Sequence, residues 1–234
     1  MDRRAGLIAA ATAVVLAALA FIAIGAVATP NHFLRCVAYP LGNFKDDRCT
    51  EPVLSGSYKR IAITEGTAAA YSGTQTSNQV LVSTVSGTKV TITCTTAATS
   101  GKTENPSGGG AGVVRETVIK LGECTVAPAE LKCQVAGKAI TTSKLSGTTT
   151  TGPAIKMGPE SAGPIAKVVI EKCLFSSFNG TYELNGTMVG TFDNSASTIE
   201  FTSTSGSSLT LNGQSATFTG SDEFTSEGQT LFVE

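Results

Sequence analysis

Residues 79–95 read Gln79-Val80-Leu81-Val82-Ser83-Thr84-Val85-Ser86-Gly87-Thr88-Lys89-Val90-Thr91-Ile92-Thr93-Cys94-Thr95. In the second half Val90, Ile92 and Cys94 take one face, and Thr91, Thr93 and Thr95 take the other. A period of two describes a strand with one buried and one wet face. Ser86-Gly87-Thr88 separates the two apolar runs where a hairpin turn is expected. The same signature recurs outward from this hairpin, in Tyr58–Thr64, in Val113–Leu121 and in Lys167–Phe175. The last sixty or so residues read as a meander. There, Asn185-Gly186 and Asn212-Gly213 are the dipeptides that favour tight mirror-image turns. Ile199 and Phe201 alternate, and Leu231 and Val233 are expected to close an edge. No segment after residue 29 keeps a helical period. The expectation is an all-β fold, an antiparallel sandwich or barrel of roughly nine to twelve short strands.

Three stretches interrupt the pattern. Thr99–Gly112 is glycine-rich and reads as a loop, because glycine gives up the most backbone entropy in a regular element. Residues 147–164 read as a Thr-, Gly- and Pro-rich connection. Residues 29–56 carry Cys36, Cys49, Pro40 and Pro52 with little periodicity, and read as a disulfide-pinned loop or short strand ahead of a domain spanning 57–234. Pro128-Ala129-Glu130-Leu131 alone has modest helical character.

The N-terminus has a different logic. Met1-Asp2-Arg3-Arg4 is followed by Ala5–Ala28, an apolar run of about 24 residues without an ionisable group, which is long enough to span a bilayer. Ala26-Val27-Ala28 is a small-x-small cleavage pattern, so residues 1–28 are expected to be a signal peptide cut after Ala28. The alternative is an uncleaved anchor with Arg3 and Arg4 on the cytoplasmic side. Arg4-Ala5-Gly6 also fits a pilin-type leader, but Ala11 stands where such a leader has an acidic residue. Leu34-Arg35-Cys36 is not a lipobox. Membrane contact is expected only through residues 5–28, if they are retained. The expected location is outside the cytoplasm, secreted or at the cell surface.

All six cysteines follow the run: Cys36, Cys49, Cys94, Cys124, Cys133 and Cys173. An even count in an exported chain reads as three disulfides among fifteen conceivable pairings. Proximity along the chain suggests Cys36–Cys49 and Cys124–Cys133, leaving Cys94–Cys173. No Cys-x-x-Cys pair is present and imidazole is nearly absent, so no metal is expected.

Composition excludes several chemistries. The net charge is −1 and no basic run occurs, so nucleic acid is not an expected partner. The single histidine, His32, lies on an expected flexible terminus, which argues against Ser-His-Asp and Cys-His catalysis. Gly101-Lys102-Thr103 lacks the glycine of a phosphate-binding loop, since Thr96 stands there. Ser86-Gly87-Thr88-Lys89 has Ser-x-x-Lys spacing but sits in a hairpin, and Pro159-Glu160-Ser161-Ala162-Gly163 lacks the first glycine of a nucleophile elbow. Glu171, Glu183 and Glu200 could supply a carboxylate pair for a histidine-free hydrolase. Asp46-Asp47 and Asp222-Glu223 read as solvated charge rather than calcium ligands. With no tryptophan, and Tyr39, Tyr58, Tyr71 and Tyr182 as the only tyrosines, aromatic sugar platforms are scarce. Asn179-Gly180-Thr181 and Asn185-Gly186-Thr187 match the glycosylation acceptor but are explained as turns. No catalytic residue and no cofactor is expected.

From residue 122 onward short motifs follow in order: Gly122-Glu123-Cys124, Lys132-Cys133-Gln134 with Gly137, Leu145-Ser146-Gly147, the strand bearing Cys173, and Gly186-Thr187-Met188-Val189-Gly190. Over residues 80–220 the chain resembles a loose group of exported, cysteine-containing, Thr/Gly-rich β proteins of actinobacterial-type bacteria. It departs at Thr148-Thr149, where that group often carries Gly-Tyr. The resemblance implies fold and location and no chemistry. The functional expectation is an exported structural or interaction protein with an extracellular or surface partner. The alternatives are a binding module for a glycan, wall polymer or small apolar ligand, a carboxylate hydrolase, and a pilus-like subunit.

Overall fold

The computed structural model of the protein describes residues 31–150, 152–202 and 206–234. The apolar run and the expected cleavage residues Ala26 and Ala28 lie outside the described residues. No helix among the described residues is long and apolar enough to cross a membrane.

The chain is all-β and antiparallel. β1 (Phe33–Phe44) and β2 (Pro52–Ala62) form a ribbon. Three long strands follow: β3 (Ala69–Val85), β4 (Thr88–Glu104) and β5 (Val113–Ala127). Next come β6 (Gln134–Val135), β7 (Ile140–Thr141), β8 (Leu145–Thr150), β9 (Ala154–Pro159) and β10 (Ala166–Glu171). After them lie β11 (Gly180–Asn185), β12 (Met188–Asp193), β13 (Thr198–Phe201) and β14 (Thr210–Leu211). β15 (Gln214–Ser226) and β16 (Gln229–Val233) end the chain.

The β3–β4 hairpin forms where the alternation places it. Val85 pairs with Thr88 across Ser86 and Gly87, whose φ values of 48° and 78° make the mirror-image turn. Val90, Ile92 and Cys94 are buried. The strand then continues through the expected glycine-rich loop to Glu104, and the loop shrinks to 105–112. Packing overrides glycine entropy here. A Cβ on Gly101 would lie 2.8 Å from the Tyr71 ring and 2.9 Å from Thr117 Oγ1, so glycine is what lets Tyr71 seat and share a 2.6 Å hydrogen bond with Thr117. The expected connection 147–164 likewise holds strand, since β8 and β9 pair along their full length.

The pairings close into two circuits. One runs β3–β4–β5–β8–β9–β12–β13–β15 and back to β3. The other runs β3–β4–β5–β6–β10–β11–β14–β15 and back to β3. The long strands β3, β4, β5 and β15 belong to both, with one half of each in each circuit. The first circuit encloses Phe33, Tyr71, Val114, Ile155, Phe192 and Phe201. The second encloses Leu81, Ile119, Ile165, Val168, Leu184 and Phe218. Their internal voids are about 10 and 20 Å³, room for about one water each at most. Both interiors are filled by side chains, as in small barrels.

This topology corrects several expectations. There are sixteen strands among the described residues, not nine to twelve, in part because the second circuit is completed by two-residue strands that no periodicity reveals. Asn185-Gly186 is not a hairpin turn: β11 belongs to the second circuit and β12 to the first, and the chain crosses between them here. β16 is not an edge, since it pairs with β15 and β1; the free edge is β2. β2 runs through residue 56, and β1 joins the sheet through β16. Pro128–Leu131 yields a single 3₁₀ turn, Ala129–Leu131.

The three disulfides are Cys36–Cys49, Cys94–Cys124 and Cys133–Cys173. The first follows chain proximity. The other two do not, because register decides them. Cys94 and Cys124 face each other in the β4–β5 ladder, with Cα atoms 4.0 Å apart. Gln134 pairs with Glu171 between β6 and β10, which brings Cys133 beside Cys173.

Candidate interaction surface

The most unusual surface is the β1–β2 ribbon. Cys36, Val37 and Ala38 pair with Arg60, Lys59 and Tyr58 in regular order. The register then shifts at the bulge containing Leu41, whose φ is 62°. Beyond it Gly42 meets Gly56. A Cβ on Gly42 would lie 2.0 Å from Tyr58 O, and one on Gly56 1.9 Å from Phe44 O, so only glycine permits this approach. The connecting turn is knotted around Asp46, whose carboxylate accepts the backbone N–H groups of Thr50 and Glu51 and the Thr50 hydroxyl. Desolvation pushes that carboxyl up, but the hydrogen bonds from Glu51 and Thr50 outweigh it and hold it at about 2.

The base of the ribbon is fastened to the body, and its connecting turn folds back to be fastened there too. Cys36, Cys49 and Phe232 form a small core of their own. The Arg60 guanidinium lies over the Phe232 ring at 4.1 Å and the Phe44 ring at 4.8 Å. Arg60 also donates to Cys49 O and Asn194 O and pairs with Glu234. Arg48 pairs with Glu223 at 2.7 Å, and Arg35 pairs with Glu227.

The outer part is bare. Leu54 is 108% exposed, Leu41 86%, Tyr39 44% and Val53 37%. Val53 and Leu54 are consecutive, so they point to opposite faces. Leu54 shares its alternation with the half-buried Gly56, Tyr58 and Arg60, whereas Val53 lies on the side of exposed Lys59 and Ile61. The Lys59 ammonium sits 5.2 Å from the Tyr39 ring centre. A sheet with one face on the core shows polar residues on the other. Around Leu41, Val53 and Leu54 this ribbon shows apolar residues on both faces, and the cover that Phe44, Cys49 and Phe232 give to Tyr58 and Arg60 does not extend to them.

Other surfaces are weaker. An open depression of about 590 Å³ is lined by Thr141, Ser143, Lys144, Ser161 and Lys167. Lys144 and Lys167 are partnered at its rim, by Glu116 at 3.8 Å and Glu183 at 3.7 Å. Val169, Leu174 and Phe175 are further exposed apolar residues, in and after β10.

The titratable residues singled out in the sequence are scattered. Glu171 is on β10 beside Lys172, Glu183 on β11 beside Lys167, and Glu200 on β13, exposed. His32 is not on a loose terminus: its backbone exchanges hydrogen bonds with Glu234, and its ring Nε2 lies 3.1 Å from Gly110 O. Asp222 is not solvated. It is 1% exposed, and its carboxylate accepts Gln79 Nε2 at 2.7 Å and the Thr99 hydroxyl at 3.1 Å. Desolvation raises its pKa, and the hydrogen bonds from Thr99 and Gln79 lower it less. This cluster sits where the long strands pass from one circuit to the other. Among the described residues no group of three metal-ligating His, Cys, Asp or Glu side chains occurs.

Sequence reasoning missed the ribbon. The available signal was Val53-Leu54, two adjacent apolar residues between Pro52 and Ser55 that break the alternation. The chain matches no protein-family model, no curated protein and no solved structure.

Proposed function

We propose that this chain is an exported bacterial surface or extracellular protein that acts by interaction, without a catalytic site of its own. The observation that carries the reading is an apolar ribbon held to a disulfide-stapled body at its base and uncovered beyond it. Three disulfides suit an oxidising compartment, since cytoplasmic thiols are kept reduced. An uncovered apolar surface in a soluble domain marks an interaction site.

Cell fractionation with mass spectrometry tests this. The protein is expected outside the cytoplasm, with all six cysteines oxidised. Full-length protein in the cytosol with six free thiols overturns the reading. Intact mass also separates cleavage after Ala28 from retention of the apolar run.

A further inference from the structure

We infer that the β1–β2 ribbon is a lipid-inserting tip, with Leu41, Val53 and Leu54 entering the interfacial layer of a bilayer. The inference rests on the proposed export and names the partner of that same ribbon.

Four observations favour a lipid surface over a protein. First, the apolar side chains point to both faces, and Leu41 and Leu54 are almost wholly exposed. A second sheet or a groove covers one face of a ribbon; a bilayer surrounds an inserted tip on all sides. Second, β2 is a poor template for strand addition. Pro52 has no N–H to donate, the Gly42–Gly56 contact breaks the register, and Lys59 stands on the strand. Third, Tyr39 and Lys59 lie together behind the leucines. An aromatic ring and a long-stemmed cation are the pair that settles at headgroup depth.

Fourth, the length of chain suits a bilayer when the apolar run is retained. The run ends at Ala28, and Asn31 is held to Thr150 O by a hydrogen bond. Three residues reach at most about 11 Å, so a retained run keeps the body close to a bilayer. Charge plays a minor part, because Arg35, Arg48 and Arg60 are already paired with Glu227, Glu223 and Glu234. Apolar insertion is the main term.

The protein has no tryptophan, so one introduced indole reports alone. Full-length Leu41→Trp and Leu54→Trp are to be reconstituted with phosphatidylcholine–phosphatidylglycerol vesicles, with Phe175→Trp as the control at an exposed apolar residue away from the ribbon. The expected result is a blue-shifted emission at positions 41 and 54, quenched at least about twofold by brominated acyl chains, with the control unquenched. The control is needed because the apolar run can hold the chain on vesicles by itself. Emission at 41 and 54 that aqueous iodide quenches freely, and brominated lipid does not, overturns the inference. So does a concentration-dependent blue shift without lipid, which assigns the ribbon to a second copy. A protein found outside the cytoplasm with unquenched indoles at 41 and 54 fails this inference alone. A cytosolic protein with free thiols fails the export reading and leaves the vesicle result legible.

Discussion

At the scale of single residues, the seam between the two circuits is held by one carboxylate. Asp222 is buried, hydrogen-bonded and without an ionic partner among the described residues. Its folded pKa is raised by burial. A raised acid contributes stability that is complete below the ordinary carboxylate pKa and is lost as pH rises through the raised value. Asp222→Asn keeps the shape and removes the charge. Thermal melts are expected to show Asn equal to or more stable than the parent at pH 7, by up to about 1 kcal/mol, with the advantage vanishing at pH 4. Asp222→Ala is expected to lose about 1–3 kcal/mol at both pH values, because Gln79 and Thr99 are left with buried unpaired donors. The neighbouring Gly220 is there for space. A Cβ would lie 2.0 Å from Gln79 Oε1. Gly220→Ala is therefore expected to cost about 1–3 kcal/mol by overpacking, and denaturant melts of Gly220→Ala in the Gln79→Ala background are expected to recover part of it. Neither residue betrays its role in the sequence. Asp222-Glu223 looks like any charged pair on a polar strand, and only the partners brought by β3 and β4 show that one of the two faces inward.

At the scale of elements, what was legible depended on length. β4 and β10 alternate over enough residues for the buried face to be read directly, and the Ser86-Gly87 and Asn212-Gly213 turns follow from residue type. β6, β7 and β14 have two residues each and exist only because neighbouring strands pair with them. The cysteines make the same point. All six are oxidised as their even number suggests, but two of the three partners come from ladder register. Non-reducing peptide mapping is expected to recover the linked pairs 36–49, 94–124 and 133–173; a 124–133 peptide pair refutes the β4–β5 register. Cys36→Ser/Cys49→Ser opens a loop of 13 residues, worth about 3 kcal/mol in the chain-entropy model. Because that link anchors the ribbon and not the circuits, hydrogen exchange is expected to rise in residues 36–60 while β3, β4 and β5 keep their protection.

At the scale of the whole molecule, the two circuits share β3, β4, β5 and β15, so losing any of these long strands breaks ladders of both. Heating is expected to give one transition by circular dichroism and calorimetry. Two separated transitions would contradict the shared-strand architecture. With the disulfides reduced, the midpoint is expected to fall by many degrees, since each link restrains the unfolded chain by roughly 2–4 kcal/mol. The amino-acid sequence by itself determined the all-β antiparallel class, the oxidation of the cysteines and the hairpin at Ser86-Gly87. Those properties depend on residue type and on a period of two, which neighbours along the chain express. The tertiary structure alone decided the closure into two circuits, the pairing of Cys94 with Cys124 and of Cys133 with Cys173, the burial of Asp222 and the bareness of Leu41 and Leu54. These depend on which strands meet. β15 pairs with β3 across more than 130 residues of chain, a choice made by the joint filling of two interiors and not by any local pattern.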